Sequence, residues 1–431
     1  MKPIGFDTNC SMKLLDFIIH SLMMFFAIFN PPVLRFNTIH IIAFISWIYL
    51  FINYSWVKRY INIHKLFFIY FSLILLGFYL FMVATFSYNN PIVIAYFIFW
   101  SLEVIPYCLF VKIYFLKHNY NLECFLQCVF FACFIQSSMA ILALLIPSVK
   151  EFFVDKIINY GYSNVHKRLS LYRNFGFADS LTFTSAIVQS IIACIALQLY
   201  IKKMKLRYLL VFLFGAFAGV INARTSFVIL LSGSFCMLLS LKSFKDFWHL
   251  IRIGLFSIIA IVILLNILRL YNDWTYSWVV DGSKQIFAFF MRDESNYGYF
   301  NYFSEKHFPL PNNYHILFGY GVEIMHGFYY GVKSDIGFIN DVWRTGLCGS
   351  AVIYSLYFLG IREFLRSKLL DCSMSKFFFS IFFIFAILIN IKGYFFVYNN
   401  VTTLIWLLFV FCCLQKTKTK ISDNNDFMFG R

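Results

Sequence analysis

The residues of this chain best suited to chemistry are a set of arginines and the acidic and imidazole groups that follow them. Arg168 and Arg173 stand in the stretch HKRLSLYRNFGFADSL, and Arg224 stands in NARTSF, a short break between two apolar runs. A guanidinium is a planar fork that binds phosphate through two parallel hydrogen bonds. Arginines fixed at a membrane surface could therefore hold the headgroup of a phosphorylated lipid. The plainer roles are a snorkelling anchor for Arg224 and solvated loop positions for Arg168 and Arg173. Further on, SDIGFINDVWRTGLCGSAVIY carries Asp341 and Arg344. Their i, i+3 spacing puts both on one helical face, where a structural ion pair is the simple outcome. Asp335 opens the same stretch, and His326 precedes it in EIMHGFYY. Either could accept a proton from a hydroxyl group; the structural alternative for Asp335 is a helix N-cap.

Neither a metal nor an organic cofactor is expected. The eleven cysteines lie mostly inside apolar runs such as ECFLQCVFFACF, with no Cys/His cluster at zinc spacing. They read as small buried apolar residues. The acidic residues form no cluster with clear metal-ligand spacing.

The elements that would position these groups are apolar helices. Of 431 residues, 61% are hydrophobic and only 13% charged, and mean hydropathy is +0.74. Soluble domains are nearer 45–50% apolar and about 25% charged. The pattern predicts an all-α polytopic membrane protein formed by residues 1–431 as a single membrane domain. Twelve stretches read as spans, near 14–29, 38–57, 66–86, 91–111, 122–147, 181–201, 207–222, 226–241, 253–270, 336–360, 377–396 and 400–415. The first reads as a span or signal anchor rather than a cleaved signal. With both termini cytoplasmic, the inner segments hold 22 of the 36 Lys and Arg, as the positive-inside rule requires. The net charge of +16 thus follows from topology, and no nucleic-acid partner is expected.

The outer side is uneven. Three of its loops are short, but one covers about 148–180 and another 271–335. Loops of this length are usually functional. The second is rich in Tyr, Trp, Asn and Asp, which suits sugar binding: aromatic faces stack on rings while polar groups bond hydroxyls. A structured lid with interfacial aromatics would share that composition. Within the spans, Glu103 in WSLEVIPY could serve proton coupling or a buried hydrogen bond, and Lys392 stands near the outer end of the eleventh span.

Four motifs in order carry a resemblance. YRNFGFADSLTFTSAIV resembles an Arg-x-x-Gly-Phe-x-(Asp/Glu) signature of the O-antigen polymerase and ligase superfamily. NARTSFVILL is similar to that family's Arg-Thr-(Gly/Ser) turn, and HILFGYG, from His315 to Gly321, to its Leu-Phe-Gly-x-Gly piece. SDIGFINDVWRTGLCGSAVIY is similar to the segment that closes the family's large outer loop. Together they cover roughly 180–200 residues. Ligases of this superfamily show a His near the loop's end; here KSDIGF places Asp335, so the chain looks more like a Wzy-type polymerase.

The resemblance implies a glycosyltransferase of the bacterial inner membrane, taking part in O-antigen or related surface polysaccharide synthesis. It would link undecaprenyl-pyrophosphate-linked oligosaccharide repeat units at the outer face. Membrane lipid and a chain-length regulator protein are the implied partners. Arg173 and Arg224, with Arg168 and Arg344, would bind the pyrophosphate; Asp335, then His326, would be the base. An O-antigen ligase, a lipid-linked oligosaccharide flippase and a proton-coupled carrier centred on Glu103 are the other readings. The topology is tested by reporter fusions after Phe300 and Leu370, which should read outside and inside respectively; the reverse pattern would remove the basis for an outer-face reaction.

Overall fold

The computed structural model describes residues 12–31, 38–87, 89, 94–159, 174, 176, 184–241, 243–291, 308–312, 314–322, 324, 332, 334, 336–392 and 399–416. Among these the fold is all-helical, with no strand and only isolated bridges, such as that between Ile61 and Gln415. The helices are α1 (Leu14–Phe29), α2 (Thr38–Ile52), α3 (Tyr54–Tyr60), α4 (Ile63–Phe86), α5 (Ile94–Phe99), α6 (Ile105–Lys117), α7 (Leu122–Leu145) and α8 (Pro147–Asn159). They continue as α9 (Thr184–Lys203), α10 (Leu206–Asn222), α11 (Arg224–Ser240), α12 (Phe244–Tyr271), α13 (Asp273–Met291), α14 (His315–Phe318), α15 (Gly337–Arg366), α16 (Cys372–Lys392) and α17 (Asn400–Cys413).

Every stretch read as a span contains a helix. Among the described residues five helices are long and apolar enough to cross a membrane: Ile63–Phe86, Phe97–Lys117, Leu122–Leu145, Thr184–Lys203 and Cys372–Ile391. The pair α2–α3, bent by 82°, makes a sixth if it is one span. Four more are apolar but shorter: α1, α10, α11 and α17.

The loops contain helices too. α8 opens the 148–180 segment and α13 opens 271–335. A search for unbroken apolar runs passes over both, because each mixes polar and apolar positions. The Asn272 side chain accepts from Thr275 N (3.0 Å) and so caps the start of α13.

α9 is the centre of the bundle, buried along almost its whole length. Close approach around it depends on small residues, as is usual between helices in lipid. Gly215 lies against Ala193 and the Gln189 carbonyl, and Gly233 against Cys194. α4, in contrast, presents most of its apolar side chains to the surroundings, as a lipid-facing helix does. Between α5 and α6 the helix widens into a π turn at Trp100–Val104. Carbonyls there are taken by other helices: Trp47 Nε1 donates to Leu102 O (2.8 Å) and Tyr70 OH to Ser101 O (2.9 Å). Glu103 in this turn meets His40 Nδ1 at 2.7 Å.

Polar contacts gather at two ends of the bundle. At one, Glu123 meets Lys203, Lys205 and Arg207, Lys202 meets Asp371 (2.7 Å), and Lys65 pairs with Glu363. Lys112 donates to the Phe411 carbonyl at the close of α17 (2.5 Å). Burial raises the Asp371 carboxyl, but hydrogen bonds from Lys202 and the Met374 N–H outweigh it and hold the group below its ordinary range. At the other end, Asn400 Nδ2 donates to Ile28 O (2.6 Å) and Asn89 Nδ2 to Tyr320 O (3.0 Å).

The most consequential irregularity is a break inside α15 at Gly346, where φ is +66° and ψ 179°. A Cβ there would stand 2.1 Å from the Leu317 carbonyl oxygen. Both the left-handed backbone and the space demand glycine. Gly346→Ala should cost about 2 kcal/mol or more, visible as a lower unfolding temperature in detergent. Gly254→Ala, with nothing within 4 Å of the new methyl group, is the control and should not lower it.

Candidate functional site

The break in α15 is built around a buried charge pair. Arg344 Nη2 donates to Asp341 Oδ1 at 2.5 Å, and both side chains are only 2% exposed. The expected i, i+3 ion pair is therefore formed, away from solvent. Such a pair persists only if its remaining lone pairs are satisfied. Tyr354 OH donates to Asp341 Oδ2 (2.5 Å), and Asn390 Nδ2 reaches the same oxygen (3.2 Å) and the Tyr354 oxygen (2.8 Å). Asn390 comes from α16, so the acid on one helix is held by another. Thr345 Oγ1 donates to the Asp341 carbonyl (2.8 Å) and lies 2.9 Å from Ser350 Oγ.

Breaking a helix releases backbone carbonyls that need new donors. The HILFGYG segment supplies them. Tyr320 N donates to Trp343 O (2.6 Å) and Gly321 N to Arg344 O (3.1 Å). Tyr79 OH of α4 donates to Thr345 O (2.7 Å) and lies 3.1 Å from Phe318 O. Asn340 closes the start of the helix: Oδ1 accepts from Ile324 N (3.0 Å) and Nδ2 donates to Ser334 O (2.8 Å). Two motifs some twenty residues apart thus become one unit. The N-cap position of α15 falls on Ile336, whose N–H is taken by Ser334 Oγ (3.2 Å).

Beneath the pair, a groove of about 500 Å³ between α15 and α16 is lined by Phe338, Tyr354, Tyr357, Phe358, Phe383 and Ala386, among others. It is apolar along its length and reaches the tyrosine that holds Asp341.

A second cluster surrounds Arg224. This residue does not stand in a bare turn, as the sequence implied, because α13 covers it. Arg224 Nη1 donates to Gln285 Oε1 (2.7 Å) and Nη2 to Trp278 O (3.1 Å), and the guanidinium lies 5.1 Å from the centroid of the Trp278 ring. Gly282 makes room for it, since a Cβ there would lie 2.6 Å from Arg224 Cδ. Two residues earlier, the buried Asn222 accepts from the Asn174 backbone N–H (2.7 Å), and Asn174 Nδ2 lies 3.4 Å from Thr275 Oγ1. Asn174, next in the chain after Arg173, is therefore joined to the Arg224 turn and to α13.

Both clusters lie at one end of the bundle. Gln198 Nε2 bridges Ser240 (3.3 Å) at the close of α11 and Ser373 (3.1 Å) at the start of α16. Gly233 faces Ile381 midway along the two helices. α11 and α16 therefore run antiparallel, which brings the Arg224 end of α11 to the Asn390 end of α16.

Of the residues nominated by sequence, Arg224 and Arg344 are placed in these two clusters. Arg168, Arg173, His326 and Asp335 lie outside the described residues, and the Lys392 side chain does too. Sequence reasoning missed Tyr354, Asn390, Tyr79, Asn222, Trp278 and Gln285. A signal existed for Asn390, an amide within an apolar run, where polar groups are costly unless bonded. Among the described residues no group of three or more His, Cys, Asp or Glu could hold a metal ion. No family model, curated protein or solved structure matches this chain.

Removing one partner of the buried pair strands the other charge. Asp341→Asn and Arg344→Met should each destabilise by about 3–5 kcal/mol, read as loss of folded protein in detergent. The double variant should lose clearly less than the sum of the two. Additive losses would show that the charges do not support each other.

Proposed function

We propose that this protein is a Wzy-type polymerase of the bacterial inner membrane. It joins lipid-linked oligosaccharide repeat units by glycosyl transfer from an undecaprenyl-pyrophosphate donor. The observation that carries this reading is the convergence of the four motif segments. Asn174, Asn222 to Arg224, His315 to Gly321, and Ser334 with Ile336 to Tyr354 come from four separate segments of the sequence. They meet in two clusters at one end of the bundle.

Twelve crossings with both termini cytoplasmic account for the way polar contacts sort. Segments assigned inside bond with one another, as Lys65 does with Glu363 and Lys202 with Asp371. Segments assigned outside do likewise. The large outer loop is then the piece from Tyr271 to Asp335, held to the membrane by α13 over Arg224 and by HILFGYG over the break in α15.

In the reaction, an acceptor hydroxyl oxygen bonds to the anomeric carbon of the donor sugar as that carbon's bond to the pyrophosphate oxygen breaks. The pyrophosphate leaves with the electron pair, and guanidiniums stabilise its charge. Arg224 and Arg173 are assigned this role, with Arg168 nearby in sequence. Arg344, compensated by Asp341, holds the site's shape instead. The apolar groove that reaches Tyr354 suits the isoprenoid chain. Much of the rate would come from holding two lipid-anchored substrates in register. The hydroxyl proton goes to a base of the large loop, for which the sequence offers Asp335 and His326.

A deletion strain separates the readings: surface glycan of single units marks a polymerase, free lipid-linked polymer a ligase, and no glycan a flippase. In the complemented strain, Arg224→Ala and Arg173→Ala should abolish polymer at unchanged protein level. Arg224→Lys should restore only part of it, because the bidentate fork is lost. Full polymer from either Ala variant removes that residue from the site.

A further inference from the structure

The structure assigns the proton-accepting role to His315, a residue of the HILFGYG segment that motif reading passed over. This rests on the polymerase reading above and refines it. The imidazole is fixed from several sides. Nδ1 lies 3.0 Å from the Gly319 carbonyl oxygen, and a carbonyl can only accept. Nδ1 therefore carries the hydrogen, and in the neutral ring the lone pair is on Nε2. That nitrogen has no hydrogen bond to the described residues.

The ring face lies on Tyr320, with centroids 3.6 Å apart and planes 13° from parallel, and Tyr320 in turn stacks on Trp343 (5.1 Å, 20°). Tyr314 also lies against the ring (centroids 4.0 Å, planes tilted by 35°). The turn that brings the Gly319 carbonyl back to the ring needs φ of +81° at Gly319, which glycine supplies without strain. Tyr320 and Gly321 are anchored by their N–H groups to the broken end of α15. The histidine is thus mounted, in one tautomer, on the same end of the bundle as Arg224. A base needs this kind of support if it is to meet a hydroxyl in the right geometry.

The surroundings fit a sugar. Tyr314 and Phe318, at the two ends of the same helical turn, are 63% and 49% exposed, and such aromatic faces can stack on a sugar ring. In the step proposed, the acceptor hydroxyl gives its proton to His315 Nε2 as its oxygen bonds to the anomeric carbon. The pyrophosphate departs with the electron pair of the broken carbon–oxygen bond, and the imidazolium then returns its proton to water.

The test uses full-length protein in liposomes with lipid-linked repeat units extracted from the deletion strain. His315→Asn can still donate an amide hydrogen to the Gly319 carbonyl but offers no basic nitrogen. Its polymerisation rate should fall about 100-fold or more, with the unfolding temperature kept. His315→Ala should fall as far, and added imidazole should restore at least tenfold of its rate. A His315→Asn rate above half that of wild type, or a His315→Ala rate that imidazole leaves unchanged, overturns the assignment while wild-type polymerisation keeps the polymerase reading intact. Wild-type protein that makes no polymer overturns both.

Discussion

The buried Asp341–Arg344 pair, seated beside the break at Gly346, is the constraint on which the rest of this end of the molecule depends. Two opposite charges taken out of water are stable only when their geometry is good and their remaining hydrogen-bonding capacity is filled. Tyr354 and Asn390 fill it for the carboxylate, so α15 and α16 are locked in register at that level. The break frees carbonyls, and those carbonyls hold Tyr320 and Gly321 in place. A single irregularity in one helix thus fixes a second helix, a tyrosine from a third, and a loop segment remote in sequence.

The same logic, with weaker forces, governs the Arg224 cluster. A guanidinium half-covered by α13 has both a carbonyl and an amide oxygen as acceptors and an indole face beside it. Cation–π contact adds about 0.5–2 kcal/mol depending on desolvation. α13 is amphipathic. Arg224 and the bonded Asn174–Thr275 pair fasten it to the bundle, together with Tyr276, which packs on Leu144, Ile221 and Leu268.

These two attachments hold α13 and the HILFGYG segment against the bundle. The glycosyl transfer proposed above, between two lipid-anchored partners, would gain most from fixed placement of the reacting groups. Backbone hydrogen bonds and packed side chains fix these segments, and the apolar groove between α15 and α16 adjoins Tyr354. Small residues along α9, α10 and α11 allow close contact between those helices, so that the ends of α11 and α16 carry the two clusters without slack.

Composition and periodicity by themselves determined that the chain is helical and suited to a membrane, because the apolar runs are long and few alternatives satisfy a backbone in lipid. They also determined the ion pair of Asp341 with Arg344, since i, i+3 neighbours meet on any helix. Residue types located the arginines and the glycines of HILFGYG. Other features depended on contacts across tens or hundreds of positions. The break at Gly346 was not legible, because a glycine in a helical run is ordinary until Leu317 occupies the space beside it. The covering of Arg224 by α13 was not legible either, since amphipathic helices lack the unbroken apolar run that marks a span. Asn390 became a partner of Asp341 only through the packing of α15 on α16, and Tyr354 reaches it from beyond the break within α15. Which nitrogen of His315 carries the hydrogen was decided by a carbonyl four residues on, brought back by one left-handed glycine. Local chemistry is written in residue types, whereas which groups are left bonded, buried or open is settled only when distant segments compete for the same donors and the same space.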